Sequence, residues 1–259
     1  MFPLRWQLGP WMVHGYSLLL WTGALIALAW WIWPRRSDLP RSLDMPLFLG
    51  TVGIVSGRIV HVWANWGYFR EHLLEGVQPG AAGLSFHGGI WGMAVGLAWL
   101  AWRRGLSNAL RVGDRLAVAL ALAGAFGWAG ALASGAAYGR TGDSFRSPLM
   151  VYWPDLFGLT AWRWPTQALG IVLSLGVLAV LYVMWRRNSL AGAVLGLYGI
   201  TYGLGDGVIQ GLRGDEAVMW AGWRAAQWAD AALVLCGVLL VVMAWNKRRR
   251  LCVETTRRL

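Results

Sequence analysis

Long stretches without charged side chains are the feature of this 259-residue chain that most limits its fold. Asp, Glu, Lys and Arg are absent from 6–34, 45–57 followed by 59–69, 76–102, 116–139, 164–185, 188–205 and 231–246. A bilayer core of ~30 Å needs about 20 helical residues, so the long stretches suffice alone, and the shorter ones suffice if Arg58 and Asp206 lie inside the membrane. The composition agrees, because a chain with 57% hydrophobic and only 14% charged residues is too apolar for an ordinary soluble domain.

The sequence therefore predicts an all-α, polytopic membrane protein with a single integral membrane domain over residues 1–259. Seven transmembrane helices are expected near 11–33, 46–68, 84–102, 115–135, 165–185, 190–212 and 227–246. The first stretch is long, follows few positive charges and lacks a small-residue cleavage pattern. It is therefore predicted to be a retained helix rather than a signal peptide.

Lys and Arg are distributed unevenly between the two sides of this predicted bundle. One side holds fifteen of the 23: Arg35, Arg36, Arg41, Arg103, Arg104, Arg111, Arg115, Arg186, Arg187, Lys247, Arg248, Arg249, Arg250, Arg257 and Arg258. The other side holds seven, namely Arg5, Arg70, Arg140, Arg146, Arg163, Arg213 and Arg224. Since cationic loops resist translocation, the N-terminus is expected outside and the C-terminus, with its basic tail 247–259, in the cytoplasm.

The net charge of +11 raises the question of a polyanionic partner. The basic residues are split among short loops that border membrane spans, so anionic lipid headgroups are the expected partner and nucleic acid is not. Two cysteines, Cys236 and Cys252, supply neither a metal cluster nor a disulfide framework. No cofactor and no metal site are predicted.

His87-Gly88-Gly89 lies near the start of an apolar stretch, Gly76 to Trp102, that contains no charged residue. A titratable ring near hydrocarbon usually faces a cavity or a partner rather than lipid. The two glycines leave room for backbone or a ligand headgroup beside it. A histidine that is simply hydrogen-bonded to a neighbouring helix is the alternative.

Two predicted helices carry polar residues at helical spacing. In the sixth, Gly199, Gly203, Gly207 and Gly211 form a row that lets another helix approach closely, and Tyr202, Asp206, Gln210 and Arg213 share a neighbouring face. Asp206 and Arg213 favour an internal ion pair over a catalytic acid. In the second, a stripe of Arg58, His61 and Asn65 points towards the external leaflet, where a cation can hold a phosphate.

The longest external connections are 69–83 and 136–163. The second, which we call the arm, is predicted to lie at the membrane interface as a lid, because Tyr152, Trp153, Trp162 and Trp164 suit the headgroup region. A plain connector rich in aromatic residues is the alternative.

Several short segments resemble motifs of the prolipoprotein diacylglyceryl transferase family, from about residue 8 to 250. They are Leu8-Gly9-Pro10, His14-Gly15-Tyr16, Ser56-Gly57-Arg58-Ile59, Leu84-Ser85-Phe86-His87-Gly88-Gly89, Ala137-Tyr138-Gly139-Arg140, Arg163-Trp164-Pro165-Thr166-Gln167 and Gly196-Leu197-Tyr198-Gly199. The Ser-Phe-His-Gly-Gly run in this helix order is specific, whereas each other match alone is weak. The resemblance implies a multi-pass bacterial inner-membrane enzyme with seven helices and an external N-terminus.

The resemblance also implies a reaction, the transfer of a diacylglyceryl group from phosphatidylglycerol to the cysteine thiol of a lipoprotein precursor, next to its signal peptide. Glycerol 1-phosphate is released, and the nucleophile comes from the substrate. Such a reaction needs a dry cavity open to lipid, cations for the departing phosphate and a base for the thiol proton.

By position, His87 and Tyr16 match residues that the family uses in catalysis, and Gly139 matches its functional glycine. The residues expected to bind the lipid headgroup are Arg58, Gly88, Gly89, Gly139, Arg140, Arg163, Asp206 and Arg213. Arg58, Arg140, Arg163 and Arg213 all lie on, or can reach, the external half, so they are the cations expected to compensate where family cations are missing.

Five positions depart from the family pattern. Trp128, Ala131, Ala136 and Tyr202 stand where the family has Arg, Asn, Glu and Arg, and Asp206 replaces a Glu. A catalytically inactive relative that binds anionic lipid or a membrane partner is therefore the alternative function, since binding needs only shape and a positive field. A lipid-linked acyl or glycosyl transferase is weaker, because the loops hold no nucleotide or metal motif.

Overall fold

The computed structural model describes residues 4–8, 11–35, 39–77, 83–142, 147–187 and 190–257. Gly9, Pro10, Arg36, Arg146 and Arg258, which entered the sequence analysis, lie outside these residues. In chain order the elements are β1 Arg5–Leu8, β2 Trp11–His14, α1 Gly15–Ile32, α2 Leu39–Ala64, α3 Trp66–Phe69, α4 Leu73–Val77, α5 Phe86–Arg104, α6 Leu106–Ser134, β3 Val151–Pro154, β4 Thr160–Arg163, α7 Thr166–Arg186, α8 Ala193–Leu212, β5 Met219–Trp220, β6 Trp223–Arg224 and α9 Ala225–Arg257.

The chain is mostly helical, as predicted, and five helices of its described part are long and apolar enough to cross a membrane. They are Gly15–Ile32, Ser42–Ala64, Leu106–Ser134, Thr166–Arg186 and Ala225–Arg250. The helices α5 and α8 are also long, but their glycines and polar side chains lower their hydropathy. Within the apolar 18-residue window of the Leu106–Ser134 helix 56% of the residues are buried, against 17 to 22% in the corresponding windows of the other four, so this helix is the most enclosed of the five.

The first helix begins later than the sequence predicted. Residues 11–14 form a strand instead of a first helical turn, because β1 and β2 pair as an antiparallel hairpin from Arg5↔His14 to Leu8↔Trp11. The Gly15 N–H then donates to the Leu4 carbonyl at 2.9 Å. The hairpin satisfies backbone groups that a helix would otherwise satisfy, and hydrophobicity alone cannot distinguish the two.

Three other predicted helix boundaries are wrong. The predicted loop before residue 46 is helical, so α2 begins at Leu39 and carries Pro46 inside. Gly105, with a φ of 84°, ends α5, and α6 begins at Leu106 rather than near 115. The basic tail continues α9 to Arg257. A polar helix end can extend beyond the apolar span, so the charge pattern marks the span and not the helix.

The described chain divides into two compact units, a larger one of Met1–Trp31 with Asp114–Leu259 and a smaller one of Ile32–Gly113. In the larger unit, small and aliphatic residues of α6, α7 and α8 form the core around two stacked tyrosines. The buried members are Ala117, Val118, Ala121, Val177, Leu181, Val194, Tyr198 and Tyr202. The single membrane domain stays a prediction.

Helices α8 and α9 approach closely along the row of small residues. A Cβ added at Gly199 would lie 2.8 Å from the Leu233 carbonyl oxygen, and one at Gly203 would lie 2.9 Å from the Asp230 carbonyl oxygen. Both acceptors are backbone atoms of α9. The close approach that the four-residue glycine spacing predicts is therefore present.

Replacing Gly203 with alanine is expected to destabilise the folded chain by about 1–3 kcal/mol, because its methyl group would overlap the α9 backbone. The matched control is Gly176→Ala in α7, where nothing lies within 4 Å of the added Cβ. That variant is expected to be neutral or more stable by up to about 1 kcal/mol. Unfolding in mixed detergent micelles measures both, and an equal effect of the two changes would contradict the packing argument.

In the smaller unit, α2 and α5 pack together through the two motifs that the sequence analysis singled out. The Ser85 N–H donates to the Gly57 carbonyl at 3.0 Å. A Cβ at Gly88 would lie 2.7 Å from the Cβ of Val60, and one at Gly92 would lie 2.3 Å from the Cβ of Ser56. The space beside these glycines is therefore occupied by α2.

The arm contains a short hairpin. Strands β3 and β4 pair antiparallel, and the rings of Tyr152 and Trp162 lie 5.8 Å apart across it. Both rings are exposed, at 58% and 42%. These two side chains are therefore available to an interface, whereas Trp153 and Trp164 are partly buried, and the lid itself stays a prediction.

Candidate functional site

A short antiparallel pairing joins the segment after α6 to the end of α8. Gly139 and Arg213 form an isolated bridge, and the Arg140 N–H donates to the Leu212 carbonyl at 2.8 Å. A Cβ at Gly139 would lie 2.0 Å from the Trp164 carbonyl oxygen, so only glycine allows this approach. The pairing brings three predicted site residues, Gly139, Arg140 and Arg213, to one place.

Two arginines share one carboxylate beside this pairing. Arg213 donates from Nε to Asp215 Oδ1 at 2.9 Å and from Nη2 to Oδ2 at 2.5 Å. Arg224 donates from Nη2 to the same Oδ1 at 2.9 Å and from Nη1 to the Asp215 carbonyl at 3.1 Å. Two cations on one anion leave this cluster with a net positive charge.

The two arginines set the protonation of Asp215. Burial raises the pKa of its carboxyl, but the hydrogen bonds and charges of Arg213 and Arg224 outweigh burial and hold the pKa below its usual value. A carboxylate with a lowered pKa stabilises the fold above its unfolded-state pKa, and this stabilisation is lost as the pH falls.

Acid is therefore expected to reduce the difference in stability between the parent chain and Asp215→Asn. The parent should unfold at the higher temperature at pH 6, and the gap should close between about pH 5 and pH 2 as the carboxyl is protonated. Thermal unfolding in detergent micelles over this range measures the gap. A gap that does not change with pH would show that the charge of Asp215 contributes nothing.

A pocket of about 330 Å³ opens next to this cluster. Its lining includes Arg140, Arg213, Arg224, Gln210 and Gln227. The charge pattern of the sequence identified Arg224 only as an external cation, and no motif indicated a role for Gln227. No spacing rule predicts their position, because it depends on the β5–β6 hairpin, which turns residues 219–224 back towards the end of α8.

The expected ion pair between Asp206 and Arg213 is not formed. Arg213 pairs with Asp215, and Gln210 lies between the two predicted partners. The Gln210 Nε2 donates to Asp206 Oδ2 at 3.0 Å, and Arg213 Nη1 donates to Gln210 Oε1 at 3.2 Å. The prediction was wrong because the residues of one helix face lie in a line, so the middle residue takes both contacts.

A neutral pair occupies the two positions where the resembling family has arginine. The Trp128 indole N–H donates a hydrogen bond to the Tyr202 hydroxyl, and both side chains are buried. Tyr202 stacks on Tyr198 with ring centroids 5.2 Å apart. A Cβ at Gly170 would lie 2.1 Å from Cδ2 of Trp128, so this glycine makes room for the indole.

Arg163 is held inside the arm. Its Nη2 donates to Asp155 Oδ2 at 2.8 Å, its guanidinium lies 4.9 Å from the centre of the Tyr138 ring, and Arg163 is only 8% exposed. Thr166 and Gln167 donate to backbone carbonyls of residues 137 and 136. The Arg163 motif therefore fixes the turn that carries Gly139.

Tyr16 lies in the first turn of α1 and is 40% exposed. A Cβ at Gly130 in α6 would lie 3.1 Å from Cδ2 of Tyr16, so its ring packs over that glycine. Gly130 is one residue of the stretch that departs from the family pattern. Tyr16 thus lies beside the segment of α6 in which Trp128 and Ala131 replace the Arg and Asn of the family.

In the smaller unit, Arg58 is bonded to backbone. Its guanidinium donates to the carbonyls of Gly76 at 3.0 Å, Gly83 at 2.9 Å and Glu75 at 2.5 Å, and it lies 5.4 Å from the centre of the Phe69 ring. Arg58 therefore fastens both ends of the connection that follows α4.

His87 lies in the first turn of α5, where Ser85 caps the helix by accepting from the Gly88 N–H at 3.1 Å. Its ring is half-buried and meets Phe86 edge-on at 5.6 Å. A Cβ at Gly89 would lie 3.4 Å from the Gly53 carbonyl oxygen, so this glycine, like Gly88, faces α2.

Comparison with known proteins gives matches over nearly the whole chain. The family model described as prolipoprotein diacylglyceryl transferase matches residues 3–243. The chain is 29% identical to the phosphatidylglycerol–prolipoprotein diacylglyceryl transferase of Streptococcus sanguinis over 254 residues, 95% of this chain and 97% of the relative. It is 29% identical to the enzyme of that name from Bacillus licheniformis over 260 residues, 96% and 94% of the two chains.

Proposed function

Because the chain belongs to the prolipoprotein diacylglyceryl transferase family, we propose that it transfers the diacylglyceryl group of phosphatidylglycerol to the cysteine thiol of a lipoprotein precursor. The match over residues 3–243 carries this proposal, and near full-length relatives with the name of this activity support it. The precursor's sulfur forms a bond to the glyceryl carbon. The bond from that carbon to the phosphate oxygen breaks, and glycerol 1-phosphate leaves with both bonding electrons.

The chain is a multi-pass protein of the bacterial plasma membrane. In this proposal α5 and α8 also cross the bilayer, which gives seven crossings with the N-terminus outside and the C-terminus in the cytoplasm. The uneven distribution of Lys and Arg supports this orientation. The carboxyl end of α8 and the start of α9 then lie at the external leaflet.

The proposed roles follow the motifs and the contacts. His87 takes the thiol proton, and Tyr16 keeps the catalytic role that its family motif gives it. Arg140 and Arg213 contact the headgroup, with Gly139 and Asp206 in support. Arg58 and Arg163 position the segments to which they bind, as do Gly88 and Gly89, since the contacts of all four are made within the chain.

The neutral pair of Trp128 and Tyr202 favours a second candidate, a relative that binds anionic lipid without turning it over. Removing one donor to a developing negative charge typically lowers a rate by about 10²–10³. Where family members have arginines, these two side chains offer no positive charge. Binding alone requires only the remaining cations and a cavity of the right shape.

One assay separates the two candidates. Purified full-length protein is placed in phosphatidylglycerol vesicles that contain lipid labelled in its acyl chains, with a peptide that carries the precursor cysteine. Transfer of label to that peptide, and not to the same peptide with serine in place of cysteine, supports the transferase. Folded protein that transfers nothing, and a gene that fails to rescue cells depleted of their own transferase, supports the binding relative.

A further inference from the structure

The pocket at the end of α8, which we call the three-arginine pocket after Arg140, Arg213 and Arg224, extends the headgroup contact that the proposed function gives to Arg140 and Arg213. Arginine stays protonated in proteins, so three positive charges face the single negative charge of Asp215 and leave a net charge of +2. No acidic side chain of the described residues lines the pocket. This excess positive charge is located where an anion can reach it.

The three arginines differ in how many hydrogen bonds and ion pairs they already make within the chain. Arg213 and Arg224 are fixed on Asp215, so their orientations are set before any ligand arrives. The side chain of Arg140 is exposed and makes no hydrogen bond or ion pair within the described residues. Arg224 is only 8% exposed, and its Nε is buried without a partner among the described residues. Two guanidiniums are thus preorganised and one is available at the rim.

The ion pair of Arg163 provides a contrast within the same unit. Arg163 and Asp155 form a one-to-one pair, with side chains that are 9% and 7% exposed, so their charges cancel. Such a pair has no excess charge with which to attract an anion. The shared carboxylate is what distinguishes the three-arginine pocket.

Size and position indicate the kind of anion. A volume of about 330 Å³ lies at the lower end of small-molecule sites and accommodates a glycerophosphate group. Trp223 lines the pocket and is 54% exposed, and Trp220, its partner across the β5–β6 hairpin, is 47% exposed. Exposed tryptophans at helix ends are typical of the headgroup level of a bilayer. Planar guanidiniums suit phosphate oxygens.

We propose that the three-arginine pocket binds one phosphate ester group, with Arg224 and Arg140 as ligands beside Arg213 and with Asp215 as the carboxylate that positions two of them. The phosphate belongs either to a lipid headgroup or to a free phosphate compound. Gln210 and Gln227 line the same wall, and the oxygen and nitrogen of each amide are already hydrogen-bonded within the chain. Such binding requires no transfer, so it holds for both candidate functions above.

Binding by the purified full-length chain in detergent micelles tests this proposal. The probes are short-chain phosphatidylglycerol and inorganic phosphate, used without any precursor peptide. Arg140→Gln is expected to weaken binding about threefold to tenfold, and Arg224→Gln by about tenfold or more, as expected for charge-assisted hydrogen bonds. Arg140→Lys should restore part of the affinity because it keeps the charge.

The matched control is Arg186→Gln, which removes the same charge at an exposed position at the other end of α7, about 30 Å from Thr166. It is expected to bind both probes as the parent does. A loss confined to phosphatidylglycerol identifies a lipid headgroup, and an equal loss for inorganic phosphate identifies a free phosphate compound.

Two results would overturn the proposal: parental affinity of both Arg140→Gln and Arg224→Gln for both probes, or an equal loss in Arg186→Gln. Arg140 is exposed and makes no side-chain bond within the described residues, so its variant carries the test if Arg224→Gln does not fold. Absence of transfer in the peptide assay bears on the proposed function and leaves this binding result standing.

Discussion

Replacing His87 with alanine is expected to slow the proposed transfer by about 10²–10⁴-fold, the range typical of losing a general base. A thiol with a pKa of about 8.5 is mostly protonated at neutral pH, so a base must take its proton before sulfur can attack. His87 is half-buried in the first turn of a helix whose first N–H groups are partly satisfied by Ser85. Initial rates of label transfer to the cysteine peptide measure the effect.

The control is His72→Ala, which removes an exposed imidazole that stacks on Tyr68 in the same unit. It is expected to keep the parental rate. Equal rates for His87→Ala and the parent, with the two proteins folded to the same extent, would show that a group other than His87 takes the thiol proton. The proposed function would then stand without His87 as its base.

Replacing Asp155 with alanine is expected to destabilise the chain by about 3–5 kcal/mol, because it leaves the Arg163 guanidinium buried without its counter-ion. The carboxylate also accepts from the backbone N–H groups of Phe157 and Leu159 at 2.9 and 3.0 Å, so the turn between β3 and β4 loses its support. Unfolding in mixed micelles measures the change.

The double variant Asp155→Ala with Arg163→Met is the informative control. It removes both charges and keeps an unbranched side chain against Tyr138, so it should be less destabilised than Asp155→Ala alone. If Arg163→Met instead leaves stability unchanged and abolishes phosphatidylglycerol binding, Arg163 contacts the headgroup and its role in the arm is minor.

The helices were predictable because the bilayer imposes a simple rule on sequence. A chain in hydrocarbon satisfies its backbone internally, and its side chains must be apolar over a fixed length. Every predicted span therefore falls on a long helix, including the helix that contains Asp206. The ends were not predictable, since the hairpin at residues 5–14 and the polar start of α2 depend on partners and not on hydropathy.

The residues of the candidate site also divide into those that the sequence predicts and those that only the fold brings together. The motifs around His87, Gly139 and Arg163 could be read locally, because each is a run of adjacent residues. Arg224 could not, since it lies 11 residues beyond Arg213, and only the β5–β6 turn brings its guanidinium to the Arg213 carbonyl and to the shared Asp215. The pairing of Asp206 with Arg213 was predicted from helix geometry, which gives the face of each side chain but not its final partner.

The sequence by itself determined that this protein lies in a membrane, that it is helical and to which family it belongs. These properties depend on hydrophobic length and contiguous motifs, which involve residues close together in the chain. Only the tertiary structure decided which arginines bind within the chain and which ones line a pocket. Arg58 and Arg163 are bound within the chain, whereas Arg140, Arg213 and Arg224 meet at one pocket. Charge acts through distances in space, and residues 140, 213 and 224 become neighbours only when the chain folds.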